Sequence, residues 1–216
     1  MSITYPRDMP PVGITRATFE PRYTQVRASS RGGNPGVAQL GPDLWSASYE
    51  TVFVSEIDAA AWEAWFSSLR GGLRFFKAWH PLRRYTLSAP AGYGGMTRAA
   101  GGAFDGTGTL TAVNSTLDVV TLGGLPLNFA LLPGDLFSFA HSTAVQRLHR
   151  VIEGGVANGA GAMTATVEPP LLPSPPANAT VLFEKSWCKA TVDRGSVSWE
   201  VGRKARVSFT ATQVLV

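Results

Sequence analysis

Residue types that commonly carry out chemistry are few in this 216-residue chain. It has three histidines, His80, His141 and His149, and one cysteine, Cys188. No pair of them has the close spacing of a zinc-binding motif. His141 and His149 lie on either side of a predicted turn, so their imidazoles could approach each other on paired strands. A metal ion would need further ligands, and the sequence therefore predicts no metal site.

Glycine-rich stretches suggest phosphate binding, but their order argues against it. GGAFDGTGTL (101–110) and GGVANGAGAM (154–163) lack the GxGxxG order and the Lys-Ser/Thr of a Walker loop, and hairpin turns explain both better. No GxSxG or HExxH motif occurs. Carboxylate pairs of the glycosidase kind meet only in the folded chain, so the sequence neither places nor excludes one. We expect no catalytic or cofactor-binding residue, no cofactor and no enzyme.

Tryptophans offer another candidate chemistry, because aromatic faces can stack on sugars. Trp79, Trp187 and Trp199 lie in predicted strands and could face a ligand, although buried strand tryptophans are the commoner case. A carbohydrate- or receptor-binding module therefore stays open as an alternative interpretation.

The composition favours a strand-and-turn protein that associates with other chains. Hydrophobic residues make up 44% of the chain and charged residues only 16%, which is too apolar for disorder and indicates a surface partly covered by further copies. The 23 glycines and 15 prolines are typical of strands joined by turns. The net charge of +4 comes mainly from arginines spread along the chain, and no basic run indicates specific nucleic-acid binding.

The sequence carries no sign of export or of membrane insertion. Its first residues, MSITYPRDMPP (1–11), are broken by prolines and do not resemble a signal peptide. No run approaches the roughly 18 apolar residues of a membrane span. We therefore expect synthesis in a cytoplasm and no membrane association.

One stretch predicts a helix. Residues 55–70 begin with Ser55, a favourable N-cap, and end before Gly71 and Gly72, which favour a left-handed stop. Large apolar side chains recur between these ends and are expected to form one packing stripe. They are Ile57, Trp62, Trp65, Phe66 and Leu69. This stripe should pack against a sheet of its own chain or in a subunit interface.

The remaining sequence divides into two textures. Residues 1–90 and 181–216 are rich in aromatics and strand candidates, among them LWSASYETVFVS (44–55), whose alternation predicts one buried face. Residues 91–180 contain about five short strand candidates, the size of a small OB- or SH3-like barrel. These candidates are 106–115, 116–124, 135–140, 144–154 and 162–171. The economical interpretation is a discontinuous domain, 1–90 plus 181–216, with a barrel inserted at 91–180.

Four stretches carry a resemblance to a known family. They are AAAWEAWFSSLRGGLRFFKAWHPLRRY (59–85), LPLNFALLPGDLFSF (125–139), QRLHRVIEG (146–154) and GSVSWEVGRKARVSFTATQV (195–214). They look like minor tail or tail-tip proteins of phages and prophages of Gram-negative hosts. The order of elements is similar to that of the distal tail proteins of long non-contractile-tailed phages. The resemblance covers most of the chain and depends on order and texture, because the family has no catalytic signature.

The resemblance implies a mainly β, tail-tube-like sandwich or split barrel with one packed helix, located in the virion. Six copies would form a ring at the distal end of the tail, between the tail tube protein and the central hub and tip proteins. Phage DNA would pass through the ring without specific binding. The inserted barrel would project outward, where it could meet a host-surface glycan.

Arginine and tryptophan are enriched at protein interfaces, and six of them are candidates for subunit contact. They are Arg83, Arg84, Trp187, Trp199, Arg203 and Arg206. A tail-tube protein or another baseplate ring protein is the near alternative, but a plain tube subunit does not need a second barrel. A cell-wall hydrolase is a further alternative, which the missing catalytic motifs disfavour.

Overall fold

The computed structural model describes residues 3–28, 36–142, 145–171, 176, 178–201 and 205–215. Within these ranges the protein is mainly β with one α-helix, as the sequence predicts. The helix, α1, is Glu56–Ser68, and a short 3₁₀ turn follows at Arg70–Gly72. The strands are β1 (Ile14–Arg22), β2 (Gln25–Ala28), β3 (Gly36–Gln39), β4 (Leu44–Thr51), β5 (Phe76–Trp79), β6 (Thr107–Val113), β7 (Val119–Gly123), β8 (Ala130–Leu131), β9 (Leu136–Ala140), β10 (Gln146–Glu153), β11 (Gly155–Val156), β12 (Met163–Glu168), β13 (Thr180–Leu182), β14 (Trp187–Val192), β15 (Ser198–Val201) and β16 (Ala205–Gln213).

One antiparallel sheet combines strands from both ends of the sequence. Its order is β1-β4-β16-β14-β5, with β15 also paired to β16. β4 and β16 lie side by side and place Tyr49 opposite Phe209. Every second residue of β4 from Trp45 to Thr51 is buried, which confirms the predicted face over the length of the strand. Phe53, also predicted on that face, lies beyond the strand end and is 50% exposed.

Six other strands close into a barrel in the order β10-β12-β7-β6-β13-β9. Five of them occupy the five candidate segments of the sequence. The sixth, β13, ends at Leu182 and therefore passes the predicted domain boundary at residue 180. It hydrogen-bonds to both β6 and β9, so the barrel closes only with this strand. The barrel interior is filled by apolar residues such as Leu122, Phe137, Phe139 and Phe183.

The barrel packs on the sheet through the outward residues of β9 and β10. Leu136 and Leu148 lie in the core formed by the sheet and α1, whereas Phe137 and Phe139 lie in the barrel core. This division follows from the alternation of side chains along a strand. The indole N–H of Trp45 donates to the Leu148 carbonyl oxygen at 2.6 Å, so a sheet residue is bonded directly to the barrel wall.

Candidate interaction surfaces

Helix α1 packs on the sheet of its own chain. Ser55 caps it as predicted, because its hydroxyl accepts from the Asp58 backbone N–H. Trp62 and Trp65 are fully buried, meet edge to face at 5.5 Å between ring centroids, and both contact Phe209 of β16. Their indole N–H groups donate to backbone carbonyls of the N-terminal segment. The aromatic stripe therefore forms the core between the helix and the sheet.

The predicted stripe is wrong at its first member. Leu69 is buried with the two tryptophans, and Phe66 packs beside them half-buried, but Ile57 is 83% exposed. At 3.6 residues per turn, Ile57 lies about 140° around the helix from Trp62, on the side away from the sheet. Ile57 is thus no part of the core, and a role in a subunit interface stays a prediction.

Three exposed apolar residues lie in the segment that leads from β4 into α1. Val52 and Phe53 follow the end of β4 and are 47% and 50% exposed, and Ile57 lies in the first turn of α1. Between them, buried Val54 donates its backbone N–H to the Ala205 carbonyl at 2.7 Å and fixes this segment against β16. We call Val52, Phe53 and Ile57 the end patch.

A second exposed surface is the ribbon formed by β2 and β3, in which Val26 faces Ala38 and Val37 faces Arg27, so each face of the ribbon carries one valine. Apart from Ala28, whose side chain is not described, every residue of this ribbon is exposed, including Val26 and Val37. Tyr23 and Leu40, at its base, are 52% and 67% exposed. A two-stranded ribbon is marginally stable by itself in water. The β2–β3 ribbon is therefore a surface that a partner would stabilise.

These two surfaces lie at opposite ends of the same strand pair. The ribbon continues from the end of the β1–β4 pair where Arg22 faces Leu44. The end patch follows the other end, where Ile14 faces Thr51. Because β4 is eight residues long, about 24 Å separates its two ends.

The outer edges of the sheet differ in how far they are covered. Arg150 of the barrel donates to the Phe19 carbonyl on the outer side of β1, and Arg7 makes two backbone hydrogen bonds along β5. β15 pairs on one side with β16, and among the described residues nothing pairs with its other side. The segment that joins β15 to β16 lies outside the described residues.

The interface candidates of the sequence are spread over the molecule, and the structure does not bring them together. Arg83 donates to the Gly134 carbonyl at 3.0 Å, and Arg84 forms an ion pair with Glu184 at 2.7 Å. Both contacts tie the segment after β5 to the barrel side. Arg206 pairs with Glu50 on the neighbouring strand. Arg203 lies outside the described residues.

The two tryptophan candidates lie in different surroundings. Trp199 is half-buried and packs edge to face on Phe66 of α1 at 6.1 Å. Trp187 faces Trp79 across β14 and β5, beside a groove of about 480 Å³. Lys77 and Lys185 place their ammonium groups 5.5 and 5.6 Å from the centroids of Trp187 and Trp79. The groove combines half-buried aromatic rings with hydrogen-bond donors.

No clustering of metal ligands is found. Among the residues that the structure describes, no three His, Cys, Asp or Glu side chains converge on a common point. Cys188 is buried in the sheet, and burial raises the pKa of its thiol to about 12, so it is an inert core residue. No helix in the described ranges is both long and apolar enough to span a bilayer.

Sequence reasoning missed the end patch and the β2–β3 ribbon. Val52 and Phe53 were assigned to an alternating strand, and the strand stops before them. Val26 and Val37 were available as a signal, because isolated apolar residues in a short ribbon have no core of their own to enter. His141 and His149 each contact the ring of Phe139, at 5.0 and 5.1 Å between ring centroids, and an approach of the two imidazoles to each other stays a prediction.

No protein-family model matches the chain, and no curated protein matches it in sequence.

Proposed function

We propose that the protein is a structural, non-enzymatic component of a bacteriophage tail tip, a distal tail protein that forms a hexameric ring. The ring would join the tail tube to the central hub and tip proteins, and DNA would pass through its channel without specific binding. The inserted barrel would lie outside the ring. The resemblance of the four sequence stretches to phage tail-tip proteins is the reason for proposing this assembly. The two exposed surfaces of the chain support a ring.

The observation that carries the proposal is the position of the β2–β3 ribbon and the end patch at opposite ends of the β1–β4 pair. Two different exposed surfaces at opposite ends suit a head-to-tail contact, in which one face of the ribbon of one copy docks on the end patch of the next. Head-to-tail contacts close into rings when the rotation between copies divides a full turn. A self-complementary dimer would instead need a single surface that pairs with itself.

Burial of these surfaces between copies would also stabilise each copy. The ribbon would gain the packing that isolated hairpins lack, and the exposed valine on its docked face would leave water together with Ile57. β15 pairs with one side of β16, and the Ala205 carbonyl of β16 accepts the hydrogen bond from Val54 on the other side. The unpaired side of β15 therefore lies near the segment that carries the end patch. An adjacent copy could therefore cover this edge as well, which protects an edge strand from unspecific pairing.

Solution mass and electron microscopy test the ring. We expect a six-membered ring with a central channel, either from the protein alone or on addition of the tail tube protein. Antibody labelling of intact phage particles should place the protein at the end of the tail. A strict monomer in both conditions, or labelling elsewhere on the particle, would overturn the proposal.

Two single substitutions test the head-to-tail contact itself. Val37→Asp disables the ribbon and Ile57→Asp disables the end patch; both positions are exposed, so the fold should tolerate either change. Each variant alone is expected to be monomeric. Mixed together, they should form a dimer, because the intact ribbon of the Ile57 variant can still dock on the intact end patch of the Val37 variant. A mixture that stays monomeric under the conditions in which the wild type forms the ring rules out the head-to-tail contact.

The groove beside Trp79 and Trp187 favours a second candidate function, binding of a host-surface glycan. Aromatic rings and flanking donors are the groups that saccharide sites use, and Leu182 of the barrel lines the groove together with the sheet. Calorimetric titration with oligosaccharides of the host surface tests this. Saturable binding that Trp187→Ala abolishes in a monomeric protein would favour the binding module over the ring component.

A further inference from the structure

One end of the barrel interior contains a cluster of basic side chains. In the pairing of β9 with β10, Arg147 faces Phe139 and His149 faces Phe137. Residues in register project from the same face of a sheet, and both phenylalanines are fully buried in the barrel core. Arg147 and His149 therefore point inward, and they are only 2% and 1% exposed. We call His141, Arg147 and His149 the barrel-end cluster.

The rings of the cluster are held together by Phe139. The imidazole of His149 stacks on it at 5.1 Å with an interplanar angle of 12°, and the imidazole of His141 contacts it at 5.0 Å. His141 is half-buried and precedes the exposed Ser142, so the cluster extends from the barrel interior to the surface.

Arg147 has no counterion. Its Nε and Nη2 atoms are buried without a hydrogen-bond partner. The described residues include all 15 acidic side chains of the chain, and none of them forms an ion pair with Arg147. Burial lowers the pKa of the guanidinium to about 10, which still leaves it charged at neutral pH. A buried charge without a partner is among the most unfavourable arrangements in a protein interior.

Arg98 shows what a satisfied guanidinium looks like in the same barrel. It donates to the carbonyl oxygens of Thr107 and Gly124, and its Nη2 atom lies 2.6 Å from Asp105 Oδ1. Both arginines belong to the barrel unit, but only Arg98 meets a carboxylate and carbonyls. Arg147 therefore has no anionic partner within the chain, and such a partner would have to come from a ligand.

The two unpartnered atoms of Arg147 define the geometry of the missing partner. Nε–H and one Nη2–H point from the same edge of the guanidinium plane and form a fork. This fork matches two oxygens of one carboxylate or one phosphate group.

The imidazoles offer further contacts to such a group. His149 Nδ1 lies 2.8 Å from the Pro169 carbonyl oxygen, which can only accept, so Nδ1 carries the hydrogen and Nε2 is left with a lone pair. Nε2 of both His149 and His141 is buried and unpartnered. Because an Nε2 lone pair repels an ionised oxygen, each imidazole would either accept a hydrogen bond from the P–OH group of hydrogen phosphate or take up a proton from solvent as the anion binds. A metal ion fits worse, because the Arg147 charge would repel it.

We propose that the barrel-end cluster binds a small oxyanion, a carboxylate or phosphate group, with the Arg147 fork on two of its oxygens and the imidazoles of His141 and His149 beside it. The site lies within one copy of the chain and does not depend on ring assembly. Its ligand would neutralise the one buried arginine of the barrel that the fold leaves unpaired.

Nuclear magnetic resonance of the histidine rings in the wild-type protein tests the site directly. The probes are sodium phosphate and sodium acetate, titrated separately at constant ionic strength with sodium chloride as the balance. We expect saturable shifts of the His141 and His149 signals. His80 is followed as a separate signal, because it lies beside Phe19 in a pocket that Arg83 and Arg150 also line, so a shift of His80 alone reports anion binding there and not at the barrel end.

The outcomes separate the ligand classes. A response to phosphate alone assigns a phosphate site, a response to acetate alone assigns a carboxylate site, and a response to both assigns the shared pair of oxygens. No saturable shift with either probe overturns the proposal. An equal shift of all three histidines, or an equal shift with chloride, shows only an ionic-strength effect and overturns it too.

Three variants localise the binding. Arg147→Met keeps the volume but removes the charge, so it should abolish the response and leave the melting temperature in anion-free buffer unchanged or raised. Arg147→Lys keeps the charge without the fork and should weaken binding by about tenfold or more. Arg98→Met is the control, which should lower the melting temperature and retain the anion response. Wild-type affinity in Arg147→Met would overturn the site; should that variant fail to fold, the wild-type titration still decides.

Discussion

At the scale of single residues, the unusual positions of this chain are buried side chains whose polar atoms have no hydrogen-bond partner. Among the described residues, four arginines form ion pairs: Arg84 with Glu184, Arg98 with Asp105, Arg150 with Glu20 and Arg206 with Glu50. Arg147 stands apart because it is inside a barrel and no acidic residue of the chain reaches it. Stability alone does not explain such a residue, because an apolar side chain of similar size would fill the space at lower cost. A bound oxyanion does explain it.

His149 makes the stability of the protein depend on pH. Burial lowers the pKa of its imidazole to about 3, whereas an unfolded histidine titrates at about 6.5. Between these values the unfolded chain binds a proton that the folded chain does not. The free energy of unfolding therefore falls as the pH is lowered from about 6.5, by up to about 1.4 kcal/mol per pH unit for this group.

Urea unfolding between pH 7 and pH 5 measures this dependence. Burial lowers the pKa of His80 and His141 to about 4 each, so both act in the same direction. His149→Asn isolates the contribution of His149, because the amide can still donate to the Pro169 carbonyl but does not titrate. We expect a shallower decline in this variant. Equal pH slopes for variant and wild type would show that His149 is not the titrating group.

At the scale of elements, helix α1 separates a core face from a surface face. Trp62→Ala should lower the free energy of unfolding by about 3–5 kcal/mol, because it removes a fully buried indole from the contact with Trp65 and Phe209. Ile57→Ala, on the same helix, should change it by no more than about 0.5 kcal/mol in the monomer. Urea denaturation followed by circular dichroism compares the two variants. Similar losses for both would mean that Ile57 belongs to the core.

The elements also show which parts of the fold are readable from sequence. Local signals were sufficient for the Ser55 cap and for the alternation from Trp45 to Thr51, because each depends on neighbours within one element. The addition of β13 to the barrel was missed, since closure depends on pairing with β6 and β9, which are far away in sequence. The side chain of Arg147 faces inward only because of its register with β9, which no local pattern reveals.

At the scale of the whole molecule, the two units share one core. Leu136 and Leu148 belong to barrel strands but are buried with the sheet and α1, and Trp45 is bonded to the Leu148 carbonyl. Ser186 adds a bond from the β14 side to the Leu136 carbonyl at 3.1 Å. An inserted unit held only by its two chain connections would open independently. This shared core instead favours a single cooperative transition.

The distribution of aromatic residues allows this cooperativity to be measured. All six tryptophans lie outside the barrel strands, so their fluorescence reports on the sheet and α1. The ring signals of His141 and His149 report on the barrel. We expect both probes to give the same urea midpoint, because unfolding of the barrel would expose Leu136 and Leu148 and remove part of the sheet core. As a control, Leu148→Ala should shift both midpoints together. Separate midpoints in the wild type, or a shift of one probe alone in the variant, would show that the units fold independently and that the contact between them is only a surface contact.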